Sequence, residues 1–339
     1  MSITSKLIKM SFKYGDALRD RNLKIPKDVV RLRDVCYYKK EKCRDKKNNG
    51  EKYSGIKDKG DTDQGLLDIY LPRERENPLS VIVSIHGGGW VYGNKEAYQY
   101  YCTHLAQYGF AIINFNYRLA PKNKFPAALE DVNRLFQWLK ESGALYDLDL
   151  DNLFVVGDSA GAQLACQYAA IITNKDYATL FHFETPDITI KAMGLNSGVF
   201  HPVERVKELD GYSTRKDGKG DKGNRVKLDA MVNRGIKDVM LDYLGKDILR
   251  FEKEMDFQSN ITEHFPPVFI ANSVNDIVAW QKPEFASRMK AAGVPYIYKE
   301  YGRGDKTIGH VFHLDIKREE ARDFNKEQIE FFREHLTKN

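Results

Sequence analysis

Five residues, Gly157-Asp158-Ser159-Ala160-Gly161 (GDSAG), join a short apolar run at 153–156 to an apolar, helix-like stretch that begins at Ser159 and runs to about residue 172. This junction constrains the fold more than any other feature of the chain. A serine between two glycines at a strand-to-helix turn sits on a sharp, strained backbone, and the glycines let neighbouring chain approach closely enough to leave the hydroxyl exposed. The start of the following helix favours negative charge at the same point. At ordinary glycine content such a string arises by chance in roughly one chain of this length in ten, so the surrounding pattern has to carry the inference.

That pattern is an alternation. Strand-like runs fall at 65–71 (GLLDIYL), 81–85 (VIVSI), 110–115 (FAIINF), 153–156, 188–195, 267–271 and 296–301. Helical spacing falls at 97–108, 126–140, 283–292 and 319–335. In the second of these Leu129, Val132, Leu135, Phe136 and Leu139 share a face behind a proline suited to a first turn. The rhythm predicts an α/β protein with a mostly parallel central sheet and helices on both faces. Two stretches interrupt it, 1–49 and about 200–265, the latter containing a polar segment at 213–227 with three glycines. Long insertions between the elements of a compact domain commonly form lids. We therefore divide the chain into an N-terminal part of a cap at 1–49 and a catalytic domain at 50–339 carrying a cap insertion at about 200–265.

Charge and cysteine content exclude other classes. The net charge is +5, and residues 39–59 alone carry nine basic against four acidic side chains, so the remainder sums to zero. That run holds a single aromatic, Tyr53, and reads as a solvated loop, not a nucleic-acid face. Cys36, Cys43, Cys102 and Cys166 show neither a zinc spacing nor a disulfide-scaffold density, which predicts reduced thiols in a cytoplasm. Lys6, Lys9 and Lys13 interrupt the apolar residues of the first 20 positions, so no signal-peptide core is expected, and no stretch approaches the length of a membrane span. Leu7, Ile8 and Phe12 can share a helical face opposite those lysines. The expectation is a helix packed on the protein, with a membrane-surface helix as the alternative.

A second glycine motif, His86-Gly87-Gly88-Gly89-Trp90 (HGGGW), follows a strand 73 residues before Ser159. Three glycines expose successive backbone N–H groups able to stabilise an oxyanion, and such a loop accompanies the serine turn in lipases and esterases. Trp90 and Tyr92 are candidates to wall an acyl pocket, with plain packing as the alternative. An acid after a late strand and a histidine after the last one would complete the order Ser, Asp, His. Asp276 and His310 occupy those places, with His313 the other candidate base. Asp305 lies too near His310 in sequence to come from a separate loop.

On these residues the chain resembles the hormone-sensitive-lipase-like, or acetyl esterase-like, branch of the α/β-hydrolases. The resemblance rests on HGGGW at 86–90, YRLAP at 117–121 with FPAALED at 125–131, GDSAG at 157–161, Asp276, and HVFH at 310–313, in the family's order over about residues 65–339. It implies the α/β-hydrolase fold with a helical cap, a triad of Ser159, Asp276 and His310, and an oxyanion hole of the Gly88, Gly89 and Ala160 amides, with His86 and Gly87 shaping the loop. Ile277 and Val278 stand where the family often has proline and leucine, and the insertion at 39–59 and the Gly-rich stretch at 211–223 depart from its pattern.

The function implied is a serine carboxylesterase, free of metal and cofactor, that hydrolyses short-acyl esters of small alcohols through an acyl-enzyme. Two readings compete with it: an amidase or peptidase with the same triad, and a non-catalytic small-molecule receptor resembling the plant gibberellin receptor. The expected partner is a small-molecule ester. Neither nucleic acid nor membrane is expected, and a homodimer is left open.

Overall fold

The β-branched and aromatic runs pair into one sheet. The structure, a computed structural model, describes residues 2–38, 64–203, 206–207, 223–278 and 282–337. The described residues form eight strands: β1 (Val29–Cys36), β2 (Leu66–Pro72), β3 (Leu79–Ile85), β4 (Ala111–Phe115), β5 (Leu148–Asp158), β6 (Ala192–Asn196), β7 (Val268–Ser273) and β8 (Tyr296–Tyr301). Their order across the sheet is β1-β2-β4-β3-β5-β6-β7-β8. The first two pairings, β1 with β2 and β2 with β4, are antiparallel, and the other five are parallel. This is the mostly parallel sheet that the alternation predicts, in the α/β-hydrolase architecture that the resemblance implies.

Helices cover both faces because the central strands are apolar on both. In β3, Val81, Val83 and Ile85 face one layer and Ile82 the other; in β5, Leu153 and Val155 oppose Phe154 and Val156. The first layer holds α3 (Ala127–Ser142), α4 (Ala160–Thr173) and α6 (Lys282–Ala291). Leu129, Val132, Leu135, Phe136 and Leu139 of α3, the face read from spacing, are all buried there. The second layer holds α2 (Gln99–Ala106) and α7 (Glu319–Glu334), through side chains such as Tyr101, Leu105, Phe324 and Phe332.

Two further helices lie together over the carboxyl ends of the parallel strands: α1 (Ile3–Asp20) and α5 (Gly223–Leu244). They pack closely, since a Cβ at Gly235 would stand 2.8 Å from Ile8 Cδ1, and the Ser2 amide donates to Asp242 Oδ2 at 3.2 Å. Tyr243 of α5 stacks on Trp90 at 4.6 Å between centroids, fixing the pair to the HGGGW loop.

Three sequence expectations need correction. Residues 29–36, assigned to the cap, are the edge strand β1. Their alternation is hidden because the register shifts between Leu32 and Val35, with Asp34 at φ 57°, a bulge that breaks period two. A buried ionic cluster holds this edge: Lys95 Nζ lies 3.0 Å from Asp68 and 2.7 Å from Asp34, and Arg31 lies 2.5 Å from Asp68. Strand β5 starts at Leu148, earlier than its apolar core, because the leading LDLD segment is polar. Cys36 is disulfide-bonded, which corrects the expectation of four reduced thiols and removes the cysteine argument for a reducing compartment; Cys102 and Cys166 are free and buried. The basic insertion at 39–59 and, Gly223 apart, the Gly-rich stretch at 211–223 lie outside the described residues. Among the described residues no helix is long and apolar enough to cross a membrane.

Candidate active site

Strand β5 ends at Asp158 and α4 begins at Ala160, leaving Ser159 alone on the turn with φ 51° and ψ −118°. A non-glycine residue held there costs roughly 1–3 kcal/mol, so the neighbours must over-determine it. They do: the Ser159 amide donates to Asn196 O at 2.9 Å, and the Ser159 carbonyl accepts from Val199 and Gln163. Gly161 is required for closeness, since a Cβ there would stand 2.0 Å from Ile85 O at the end of β3. The sharp turn read from GDSAG is thus wedged between two strand ends.

The loops after β7 and β8 bring the acid and the base to this serine. His310 Nε2 lies 3.1 Å from Ser159 Oγ, and His310 Nδ1 lies 2.7 Å from Asp276 Oδ1. With a carboxylate at Nδ1, that nitrogen carries the proton and donates, which leaves Nε2 to accept from the serine hydroxyl. The two loops are sewn together. Asp276 Oδ1 also accepts from the Val278 amide at 3.0 Å, Ser273 Oγ donates to Ile308 O, and Asn275 Nδ2 donates to Asp305 O at 2.9 Å. Ser197 Oγ accepts from the Val311 amide at 3.2 Å. The departure from the family's usual pair at Ile277 and Val278 thus leaves a backbone amide, that of Val278, on the acid.

His313 is elsewhere. It is buried against Tyr101 and Phe324, at 5.3 and 5.5 Å between centroids, and burial pushes it down to about 3, so it is neutral. Its backbone carbonyl accepts from Asn325 Nδ2 at 3.0 Å, while the ring itself is held by aromatic packing, its buried Nε2 having no hydrogen-bond partner among the described residues.

The glycine loop rises beside the serine. Gly88 has φ 109°, and a Cβ there would stand 2.2 Å from Tyr92 O, so glycine is demanded twice over. Among the described residues the amides of Gly88, Gly89 and Ala160 donate to no protein acceptor, which leaves three donors next to Ser159. His86 shapes this loop from below. Its Nδ1–H donates to Gly87 O at 2.8 Å, its ring stacks on Tyr117 at 4.1 Å, and burial lowers it to about 4. Tyr117 donates back to His86 O at 2.8 Å. Sequence reasoning missed Tyr98, whose hydroxyl accepts from the Gly87 amide at 2.9 Å and donates to Asp158 Oδ2 at 2.7 Å. It ties the glycine loop to the residue before the serine, and burial pushes Asp158 up to about 7. The YRLAP and FPAALED stretches are likewise structural. Buried Asp131 accepts from the Arg118 amide and guanidinium at 2.8 and 2.9 Å, locking the turn that carries Tyr117 to the start of α3.

Two cavities flank Ser159 and His310. One, of about 400 Å³, is apolar and is lined by Trp90, Val199, Val239, Met240, Ile277 and Val278, among others. The other, of about 490 Å³, is polar-edged, with Asp16, Arg19, Tyr92, Asp158 and Arg318 in its wall. Trp90 and Tyr92, the two candidates for an acyl wall, thus separate: Trp90 lines the apolar cavity, with Nε1 donating to Gln163, while Tyr92 lines the second one and donates to Asp16 at 2.8 Å. Helix α1 contributes to both cavities, a role that the missing regular rhythm in 1–49 did not localise. Among the described residues no group of three or more metal-ligating side chains is found.

Comparison with known proteins bears on the family and the fold. Residues 82–314 match a family model described as alpha/beta hydrolase fold. The chain is 37% identical over 100 residues to an ethyl acetate hydrolase of Pseudomonas putida, covering 29% of this chain and 31% of that protein. It is 33% identical over 129 residues to an arylacetamide deacetylase of Bos taurus, covering 36% and 30%. These matches span about a third of the relatives' length. The inhibited esterase B of Lactobacillus rhamnosis has a similar fold, with a TM-score of 0.78 and 21% identity, over 98% of this chain and 96% of that one.

Proposed function

The chain belongs to the alpha/beta hydrolase fold family, in its hormone-sensitive-lipase-like branch, and from that premise we propose that it is a serine carboxylesterase acting on short-acyl esters of small alcohols. The observation that carries the reading is the bridging position of His310, 3.1 Å from Ser159 Oγ and 2.7 Å from Asp276.

In this mechanism Ser159 Oγ attacks the ester carbonyl while its proton passes to His310 Nε2. Asp276 holds the ring in the accepting tautomer and stabilises the imidazolium. The carbonyl oxygen becomes an oxyanion facing the three free amides of Gly88, Gly89 and Ala160. Each donor of this kind is worth about 3–4 kcal/mol in the transition state because it needs no reorganisation. Collapse expels the alkoxide, which takes the proton from His310 and leaves as the alcohol. Water then attacks the acyl carbon while giving a proton to His310 Nε2; the Ser159 Oγ–acyl bond breaks, His310 returns the proton to Ser159 Oγ, and the carboxylic acid leaves.

The two cavities suit an ester's two ends: acyl chain in the apolar one, alcohol in the polar-edged one. Continuity of the three side chains favours catalysis over a receptor role, and the mainly apolar cavity gives a peptide's polar backbone few partners. The names of the relatives, ethyl acetate hydrolase and arylacetamide deacetylase, point to short acyl groups. Hydrolysis of p-nitrophenyl esters from acetate to long chains, beside anilide and peptide substrates, tests this. The expected profile peaks at short acyl chains and falls steeply for amides; equal or better anilide hydrolysis would replace the esterase by an amidase.

A further inference from the structure

Helix α1 is built the wrong way round for a helix that merely packs on its protein. At about 100° per residue, positions 4, 5, 8, 16 and 19 form the arc turned inward, and all five are buried or half-buried. Ile3, Leu7, Met10, Tyr14 and Leu18 form the opposite arc, and each is 49–78% exposed. Lys6, Lys9 and Lys13, all exposed, occupy the neighbouring arc. The sequence expectation that Leu7, Ile8 and Phe12 would be covered thus holds for Ile8, while most of the helix's apolar surface is presented to solvent.

This stripe is continuous with the site. Leu7 and Phe12 line the apolar cavity that contains Ser159 and His310, and so does Ile277, itself 51% exposed on the loop after β7. A mouth rimmed by exposed apolar side chains, beside a basic flank, fits one kind of partner by charge and by shape. We propose that α1 and the Ile277 loop form a docking face for an anionic lipid surface, on which the enzyme rests with its apolar cavity open toward the lipid. An apolar stripe with lysines at its edge sits in the boundary between headgroups and acyl chains, with the ammonium groups reaching anionic phosphates. A second copy fits less well. The helix is about 27 Å long and 10 Å wide, so its face covers under roughly 300 Å², against about 800 Å² per partner for a stable dimer. Two such faces would also bring three lysines toward three.

The proposal stands apart from the esterase reading, because lipid binding is measured without turnover. The full-length protein is sedimented with vesicles of phosphatidylcholine containing phosphatidylserine, and with vesicles of phosphatidylcholine alone. Strong binding to the first, weakened by salt and by the loss of phosphatidylserine, is expected. The triple variant Ile3→Ser, Met10→Ser, Tyr14→Ser should bind at least tenfold more weakly, and so should Lys6→Gln, Lys9→Gln, Lys13→Gln. Both should keep the wild-type kcat/KM on a soluble short ester. No binding by the wild type, or binding that neither variant weakens, overturns the proposal. A concentration-dependent dimer that the apolar variant abolishes, without vesicle binding, assigns the face to a second copy and overturns it too.

Discussion

At Ser159 the backbone is held at φ 51° by contacts to Asn196 and Val199, so the hydroxyl is aimed before any substrate arrives. The two candidate bases are told apart in the same way, by position and not by type. His310 and His313 are three residues apart, yet one bridges Ser159 and Asp276 while the other is closed off among aromatic rings. His310→Ala is therefore expected to lower kcat by several orders of magnitude, whereas His313→Ala keeps measurable turnover and loses thermal stability instead. Activity assays beside thermal unfolding check this, and a reversed pattern would move the base. Asp158 supplies a pH signature. Its folded-state value, about 7, lies above the ordinary 3.8, so folding favours the neutral carboxyl. The stability it contributes is full below its ordinary range and is lost as pH rises through about 7. Asp158→Asn cannot ionise and keeps an oxygen for the Tyr98 hydroxyl. The variant should gain stability over the wild type between pH 5 and 8, by on the order of 4 kcal/mol at most. Parallel stability profiles would contradict the assignment.

Elements differ in how plainly the sequence announces them. The apolar strands β3 to β7 and the face of α3 follow directly from β-branched runs and helical spacing, because both sheet faces are buried. Strand β1 does not, since the bulge at Asp34 breaks its alternation and buried charges join its apolar residues in holding it. Asp68 and Lys95 are fully buried, and the pair joins β1 to the sheet through Asp34 and Arg31. Removing Lys95 takes one of two cations from buried Asp68 and leaves Arg31 to hold it. Lys95→Met should cost about 3–5 kcal/mol in denaturant unfolding. Lys299→Met, which breaks an exposed pair with Glu327, should cost under about 1 kcal/mol. Equal effects would show that the buried cluster does not hold the edge strand. Similarly, nothing in the local pattern of α1 says which arc turns inward; that choice is made by distant partners, Gly235 of α5 against Ile8, and Tyr92 and Ala97 against Asp16 and Arg19.

Across the whole molecule, the site was legible where chemistry forces residue type. Two glycine motifs mark a strained turn and a loop of free amides, and an acid and a histidine after late strands can reach them only in a parallel sheet whose strand ends converge. What stayed hidden was the support. The Tyr98 bridge from Gly87 to Asp158 and the Trp90–Tyr243 stack join positions that no local spacing relates. The central claim is that the Ser159 hydroxyl forms the covalent intermediate. The most direct measurement treats the protein with a serine-directed phosphonate and locates the added mass by peptide mass spectrometry. The label is expected on the peptide containing residues 157–161, with loss of esterase activity in step with labelling and an unlabelled, folded, inactive Ser159→Ala variant. A label on another residue, or near-normal turnover by Ser159→Ala, would contradict it.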